Sequence, residues 1–233
     1  MRINKYLALK QISTRRGADL LIVNKKVFIN GKLAVLGSKV NKDDKIEVRG
    51  VQPKQYFYFA YNKPIDIITH SPQREEVDIV ENIRNKIPKE VSGEIFPIGR
   101  LDKNSHGLII LTNDGRITDK LLNPKYFHEK EYVVKTSNKL RANFKQKMES
   151  PVNIEGYMTK PCKVQIINNT TFKIILTEGK KHQIRRMCSA LFQEVADLKR
   201  TRFMNIELGK LKLNDIRIIK GEELSTFLNP LIK

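Results

Sequence analysis

Short apolar segments separated by turn signals run along most of this chain, and this pattern constrains the fold more than any other feature. Residues 107–111 form one such segment, which stops at Asn113-Asp114-Gly115, a strong turn signal. Residues 164–167 and 171–176 flank Asn168-Asn169, and this arrangement predicts a β-hairpin. We therefore expect strands to form much of the regular structure.

Helical patterns are fewer and lie scattered between the strands. The clearest one is a set of five apolar residues at spacing i, i+3, i+4, i+7 and i+8, which share one helix face: Ile184, Met187, Cys188, Leu191 and Phe192. Two shorter helices are predicted near the start of the chain, over residues 3–9 and from a cap at Ser13 or Thr14. The mixture predicts an α+β fold rather than a regular repeat of strand, helix and strand.

The chain is long enough for one domain with a small companion. It has 233 residues, of which 40% are hydrophobic, so a buried core is expected. We predict a first module over residues 1–50, a linker containing Pro53 over residues 51–56, and a second domain over residues 57–233.

Positive charge is the strongest compositional feature. Lys and Arg number 44 against 25 Asp and Glu, which gives a net charge of +19. Residues 1–50 carry 12 basic and 4 acidic side chains, so the charge is concentrated at the N-terminus. Nucleic acid is the commonest partner of such a chain, and an inert basic surface is the alternative.

Several other classes of protein are disfavoured by what the sequence lacks. Cys162 and Cys188 have no close Cys/His cluster around them, so neither a disulfide framework nor a zinc site is expected. The four histidines share no ligand spacing, and we interpret them as surface or RNA-facing residues: His70, His106, His128 and His182. No signal peptide and no run of about 18 apolar residues is present. We therefore expect a cytoplasmic protein, monomeric, without metal, cofactor or membrane span.

The first fifty residues resemble a known RNA-binding module. Residues 2–7, 13–19 and 27–32 are similar, in order and spacing, to the S4 RNA-binding domain. The resemblance implies that Lys5, Arg15 and Arg16 contact phosphate. Taken alone, Arg15 and Arg16 would be interpreted as two solvated arginines at a helix start.

The second domain resembles the RsuA branch of the pseudouridine synthases. The segment from Gly99 to Gly115, with Asp102 at its centre, is similar to the catalytic motif of that family. The family's other motifs follow in its order at Lys63-Pro64, residues 129–132 and residues 178–187. Within the branch, three stretches are most similar to the RluF type, which acts on large-subunit rRNA and in some members on a tRNA: residues 128–132, 160–164 and 199–205.

The resemblance implies a small S4 domain followed by a catalytic domain with a mostly antiparallel mixed sheet. It implies isomerisation of uridine to pseudouridine without a cofactor, with Asp102 as nucleophile or as base toward the ribose. Tyr132 would hold the flipped base by stacking. Arg185 would keep Asp102 ionised through a semi-buried ion pair.

RNA contacts outside the reacting centre are expected from Lys63, Arg100 and Arg186. The substrate would be 23S rRNA, free or in a ribosome assembly intermediate, with a tRNA as a second target. Two alternatives stay open, a synthase acting on 16S rRNA and a non-catalytic RNA-binding assembly factor. One departure from the family is Asp66, which stands where a glycine is usual and which affects the backbone of that loop.

Overall fold

The protein was analysed as a computed structural model, which describes residues 1–10, 12–50, 55–69 and 76–232. It divides into two compact units, Met1–Phe57 with Asp114–Thr118, and Tyr58–Asn113 with Asp119–Lys233. Residues 51–54 of the predicted linker, and His70, lie outside the described residues.

The first unit combines two short helices with a small antiparallel sheet. Its elements are α1 (Ile3–Leu9), α2 (Arg15–Val23), β1 (Val27–Ile29), β2 (Lys32–Leu33) and β3 (Ile46–Val48), with strand order β2-β1-β3. The Thr14 side chain accepts a hydrogen bond from Gly17 N at 3.0 Å, so it caps α2 as predicted. Apolar residues from both helices and the sheet form one buried cluster: Ile3, Leu7, Ala18, Ile22, Val27, Ala34 and Val40.

The rest of the chain adds eleven strands and six helices within the described residues. The strands are β4 (Tyr58–Lys63), β5 (Phe96–Ile98), β6 (His106–Thr112), β7 (Lys130–Thr136), β8 (Asn153–Ile154), β9 (Tyr157–Met158), β10 (Lys163–Asn168), β11 (Thr171–Leu176), β12 (Val195–Phe203), β13 (Ile206–Glu207) and β14 (Ile216–Ile218). The helices are α3 (Ile79–Ile83), α4 (Lys89–Ser92), α5 (Thr118–Leu122), α6 (Phe144–Glu149), α7 (Gln183–Ala190) and α8 (Gly221–Ile232).

A mixed nine-stranded sheet organises the second unit. Its main path runs β10-β11-β7-β12-β6-β4-β14, with β13 beside β12 and β5 beside β6. Among the strand pairs of the described residues in this sheet, β12 with β6 is parallel and the others are antiparallel. The predicted α+β fold with a mostly antiparallel mixed sheet is therefore confirmed.

Helices α6 and α7 pack on the sheet and close its main core. Ile184, Met187 and Cys188 of the predicted helical stripe are buried there, together with Phe144. The last residue of the stripe, Phe192, is instead 74% exposed, because α7 ends at Ala190 and the Phe192 backbone turns to a φ of +60°.

The segment after β4 forms a turn rather than a further strand. Ile68 makes only an isolated bridge, to Asp78, and Asp66 has a φ of +67°. The cause is Lys63, whose buried ammonium donates hydrogen bonds to the carbonyl oxygens of Pro64 at 2.8 Å and of Ile67 at 2.7 Å. These two bonds curl the chain back onto the end of β4.

Gly107 lies where the sheet changes from antiparallel to parallel pairing. It is paired with Lys63 on β4 and with Arg200 on β12, and Arg200 is paired in turn with Tyr132 on β7. The φ of Gly107 is +104°, and an added Cβ would lie 2.8 Å from Arg200 N and closer still to its carbonyl oxygen. Only glycine fits, because both its conformation and the contact exclude a side chain.

Substituting this glycine tests how far the fold depends on the contact. We expect Gly107→Ala to lower the free energy of unfolding by about 2–6 kcal/mol, from backbone strain and overpacking together. Gly93→Ala is the matched control, since an added Cβ there meets nothing within 4 Å and φ is −76°. That change should stay within about 1 kcal/mol of wild type. Equal urea midpoints for the two variants would contradict the prediction.

Candidate active site

Asp102 lies in the loop between β5 and β6, and hydrogen bonds fix the backbone around it. The buried Thr69 hydroxyl donates to the carbonyl oxygen of Leu101 at 2.7 Å and accepts from Leu101 N at 3.1 Å. Ser105 N donates to the carbonyl oxygen of Asp102 at 3.0 Å and closes a turn. The carboxylate is thus presented from a loop with little freedom.

The turn after β4 supports the same loop. Asp66 N donates to the carbonyl oxygen of Lys103 at 2.9 Å. The left-handed conformation of Asp66 is one that glycine adopts most easily and that aspartate tolerates better than most residues. The departure from the family at this position therefore leaves the turn intact.

The Asp102 side chain faces a histidine. Its Oδ1 lies 3.5 Å from His182 Nε2, and 35% of the Asp102 side chain is exposed. His182 stands immediately before α7 with a φ of +52°, in a turn fixed by a hydrogen bond from Lys180 N to Gln183 Oε1 at 2.9 Å. Sequence reasoning placed His182 only at the surface or facing RNA, because nothing in its spacing connects it to Asp102.

Arg185 reaches the loop that carries Asp102 but does not form the predicted ion pair with the Asp102 carboxylate. Its guanidinium donates to the carbonyl oxygen of Asn104 at 2.7 Å and to that of Val195 at 3.1 Å. Among the described residues, the basic side chain within 4 Å of the Asp102 carboxylate is His182 instead. Arg185 therefore ties α7 and the start of β12 to the loop, two residues beyond Asp102.

Tyr132 lies on β7, and β6 is the strand that follows the loop carrying Asp102. In the sheet β7 and β6 are two strands apart, which separates the two strands by about 10 Å. The residue is half-buried and packs against the main core cluster. Arg200 is its partner across β12 and Ile174 its partner across β11, so these three side chains project from the same face of the sheet.

Two buried cations and one half-buried cation lie along this part of the sheet. Arg200 is 2% exposed, and its Nε donates a hydrogen bond to the carbonyl oxygen of Leu108. Its Nη2 has no hydrogen-bond partner among the described residues. Lys63 is fully buried, and burial lowers its pKa to about 8 although the charge of Asp102 opposes the shift. Burial also lowers the pKa of Lys130 to about 8, assisted by the charge of Arg200.

None of these three cations forms an ion pair with a carboxylate in the part of the chain that the structure describes. Burying a charge without a partner costs free energy. The three charges also give this part of the sheet a positive electrostatic potential. Such potential favours an ionised carboxylate and any anionic group of a ligand.

The residues predicted to contact RNA occupy different environments. Arg100 is exposed and has no ion-pair partner among the described residues, whereas Lys63 is buried and does not face an RNA surface. Arg186 is held by Glu155 and by the carbonyl oxygen of Ile154, both at 2.8 Å. In the first unit, the three predicted cations are all exposed: Lys5, Arg15 and Arg16.

The described residues contain no group of His, Cys, Asp and Glu that could hold a metal ion. Likewise, no helix among them is both long and apolar enough to cross a membrane.

Comparison with known proteins identifies the family. A sequence model described as RNA pseudouridylate synthase matches residues 57–190, and an S4 domain model matches residues 1–46. The chain belongs to the RNA pseudouridylate synthase family. This synthase is accordingly an isomerase acting on RNA, and the predicted S4 module is confirmed.

Named relatives match the synthase over nearly its whole length. The dual-specificity RNA pseudouridine synthase RluF of Escherichia coli K12 is 38% identical over 229 residues, which cover 96% of this chain and 77% of the relative. Ribosomal large subunit pseudouridine synthase B of Bacillus subtilis is 33% identical over 232 residues, covering 96% and 93%. A crystal structure of a pseudouridylate synthase superposes with a TM-score of 0.71 at 25% identity, covering 97% of this chain and 99% of that one.

The lowered pKa values of Lys63 and Lys130 give a prediction that can be tested without an activity assay. We expect the side-chain carbons of Lys63 and Lys130 to titrate near pH 8 in NMR spectra of ¹³C-lysine-labelled protein, well below the ordinary 10.5. Lys63→Met and Lys130→Met should each remove one signal. Since the unfolded state binds these protons more tightly, both lysines should make the folded state gain stability as pH rises above about 8. Titration of both signals near 10.5 would contradict the assignment.

Proposed function

We propose that this synthase isomerises a specific uridine of 23S rRNA, with Asp102 as the reacting carboxylate. The observation that carries the proposal is the placement of Asp102, a half-exposed carboxylate on a fixed loop beside a row of cations. Names of relatives support the RNA class, since one is a large-subunit enzyme and another is called dual-specificity. A tRNA is the proposed second substrate. The 23S rRNA would be modified either as free RNA or within a ribosome assembly intermediate.

The reaction breaks the bond between N1 of uracil and C1′ of ribose, rotates the base, and joins C5 to C1′. C5 then loses its proton and N1 gains one, so no cofactor is consumed. Asp102 would either attack the sugar at C1′ or remove a proton from it. Both roles require an ionised carboxylate, and the buried ammonium of Lys63 interacts electrostatically with Asp102.

The surrounding residues would position the nucleotide and the loop. A flipped uracil would stack on the ring of Tyr132, which is half-buried. Arg185 would act as a positioning residue, because its hydrogen bond to Asn104 holds the loop that carries Asp102.

Residues 1–50 would dock on folded RNA, as a domain separate from the catalytic domain over residues 57–233. The exposed side chains of Lys5, Arg15 and Arg16 would neutralise phosphates, and Arg100 would add one contact near the reacting centre. We place the enzyme in the cytoplasm, as a monomer.

Pseudouridine mapping tests both the activity and its target. Purified enzyme would be incubated with unmodified 23S rRNA, 16S rRNA, tRNA transcripts and ribosomal assembly intermediates, followed by carbodiimide labelling and primer extension. We expect a new stop at one 23S uridine and its loss in Asp102→Asn, whose rate should fall by about 10³-fold or more. Full activity of Asp102→Asn would exclude the assigned role, and a stop only in 16S rRNA would change the substrate.

Salt dependence of binding tests the docking role of the first module. Replacing Arg15 and Arg16 together by Gln should weaken RNA binding and reduce the slope of log K against log salt by about 1.4–1.8, which corresponds to two released phosphate contacts. Lys25 and Lys42 are exposed on the same unit, so their double replacement by Gln removes the same charge as a control. Identical slopes for the two double variants would contradict specific docking by α2.

A further inference from the structure

We propose that three aromatic rings, each with a lysine over it, form a stacking site for unpaired RNA bases beside the target nucleotide. This inference rests on the proposed function, since it places the RNA strand at the same site. The rings and their lysines are called the aromatic strip: Tyr126 with Lys125, Phe127 with Lys160, and Tyr157 with Lys180. The distances from each ammonium nitrogen to the ring centre are 4.8, 4.1 and 4.3 Å.

Two rings of the strip are displayed to solvent, while the third, Tyr157, is half-buried and packs against the main core cluster. Phe127 is 57% exposed and Tyr126 38% exposed. Phe127 also has a left-handed backbone with φ of +55°, which is uncommon for an aromatic residue. Single exposed apolar residues are ordinary, but three rings that each lie under a lysine, two of them consecutive in the sequence, are a pattern suited to bases and phosphates.

A buried carboxylate connects the strip to the motif that contains His182. Glu178, which is 3% exposed, accepts hydrogen bonds from the Tyr157 hydroxyl at 2.6 Å and from Lys160 N at 3.0 Å. It also accepts from Gln183 Nε2 at 2.7 Å, and Gln183 fixes the turn that carries His182. His182 lies 3.5 Å from Asp102, so a chain of hydrogen bonds and neighbouring residues connects the strip to that carboxylate.

The chemistry of the strip favours single-stranded RNA over duplex. A ring stacks on a base only when a face of that base is free, and the phosphates of the same strand then lie within reach of the lysines. Extruding the target uridine unstacks its neighbours, which leaves such faces free next to Asp102. The strip therefore fits the nucleotides that flank the target.

Fluorescence of 2-aminopurine reports stacking directly and needs no turnover. The probe is a short oligouridylate carrying one central 2-aminopurine, and the same strand annealed to a complement serves as a duplex control. We expect wild-type protein to quench the single strand, Phe127→Tyr to retain quenching, and Phe127→Leu to lose it. The Kd of Phe127→Leu should rise by about 5- to 150-fold, the range found for removal of one base-stacking ring.

Phe192 offers a matched control. It is 74% exposed, has a φ of +60°, and lies under the guanidinium of Arg141 at 4.8 Å. It follows the C-terminal end of α7 and is not part of the strip. Phe192→Leu should quench and bind like wild type. Equal loss in Phe127→Leu and Phe192→Leu, or no loss in either, would overturn the proposal, as would equal binding of the duplex.

The same variants separate this inference from the proposed function. On the mapped RNA, Phe127→Leu should raise KM while kcat stays near the wild-type value, and circular dichroism melting should show an unchanged fold. Absence of any new pseudouridine together with Phe127-dependent quenching would reject the proposed substrate and keep the stacking site. Normal KM and normal quenching in Phe127→Leu would reject the stacking site and keep the synthase.

Discussion

The contact of Gly107 with the backbone of Arg200 is the constraint on which the rest of the catalytic architecture depends. It joins β6 to β12 in parallel, and thereby joins β4, β5 and β14 to the antiparallel strands that carry Tyr132. The loop bearing Asp102 lies on one side of this junction, and Tyr132 lies on the other. A side chain at position 107 would push these two halves of the sheet apart.

Positive charge is divided between two physical roles. Lys63 and Arg200 are buried without carboxylate ion-pair partners among the described residues, and this arrangement costs stability. It also leaves positive potential in this part of the sheet, where Lys63 interacts electrostatically with Asp102, whereas conventional ion pairs would neutralise that potential. The exposed cations, such as Arg15 and Arg16, would instead attract RNA phosphates at the solvent-exposed surface. Salt weakens that attraction.

Local patterns predicted the elements well and the contacts between distant elements poorly. The Thr14 cap and the buried face of α7 follow from spacing that any helix requires. The contact of His182 with Asp102, and the hydrogen bond of Arg185 to Asn104, depend on how α7 meets a loop far away in sequence. The burial of Arg200 could not be predicted either, because Arg200 lies in a run of four polar residues, 199–202, and only the pairing of the sheet determines which of them point inward.

Glu178 connects the proposed stacking site to the turn that carries His182. Its carboxylate holds Gln183, which shapes the turn before α7, and it also holds Tyr157 and the backbone of Lys160 in the strip. A change that moves the strip would therefore also shift the turn that presents His182 to Asp102. Since the hydrogen bonds converge on a single buried carboxylate, RNA bound at the proposed stacking site would be mechanically coupled to the turn that faces Asp102.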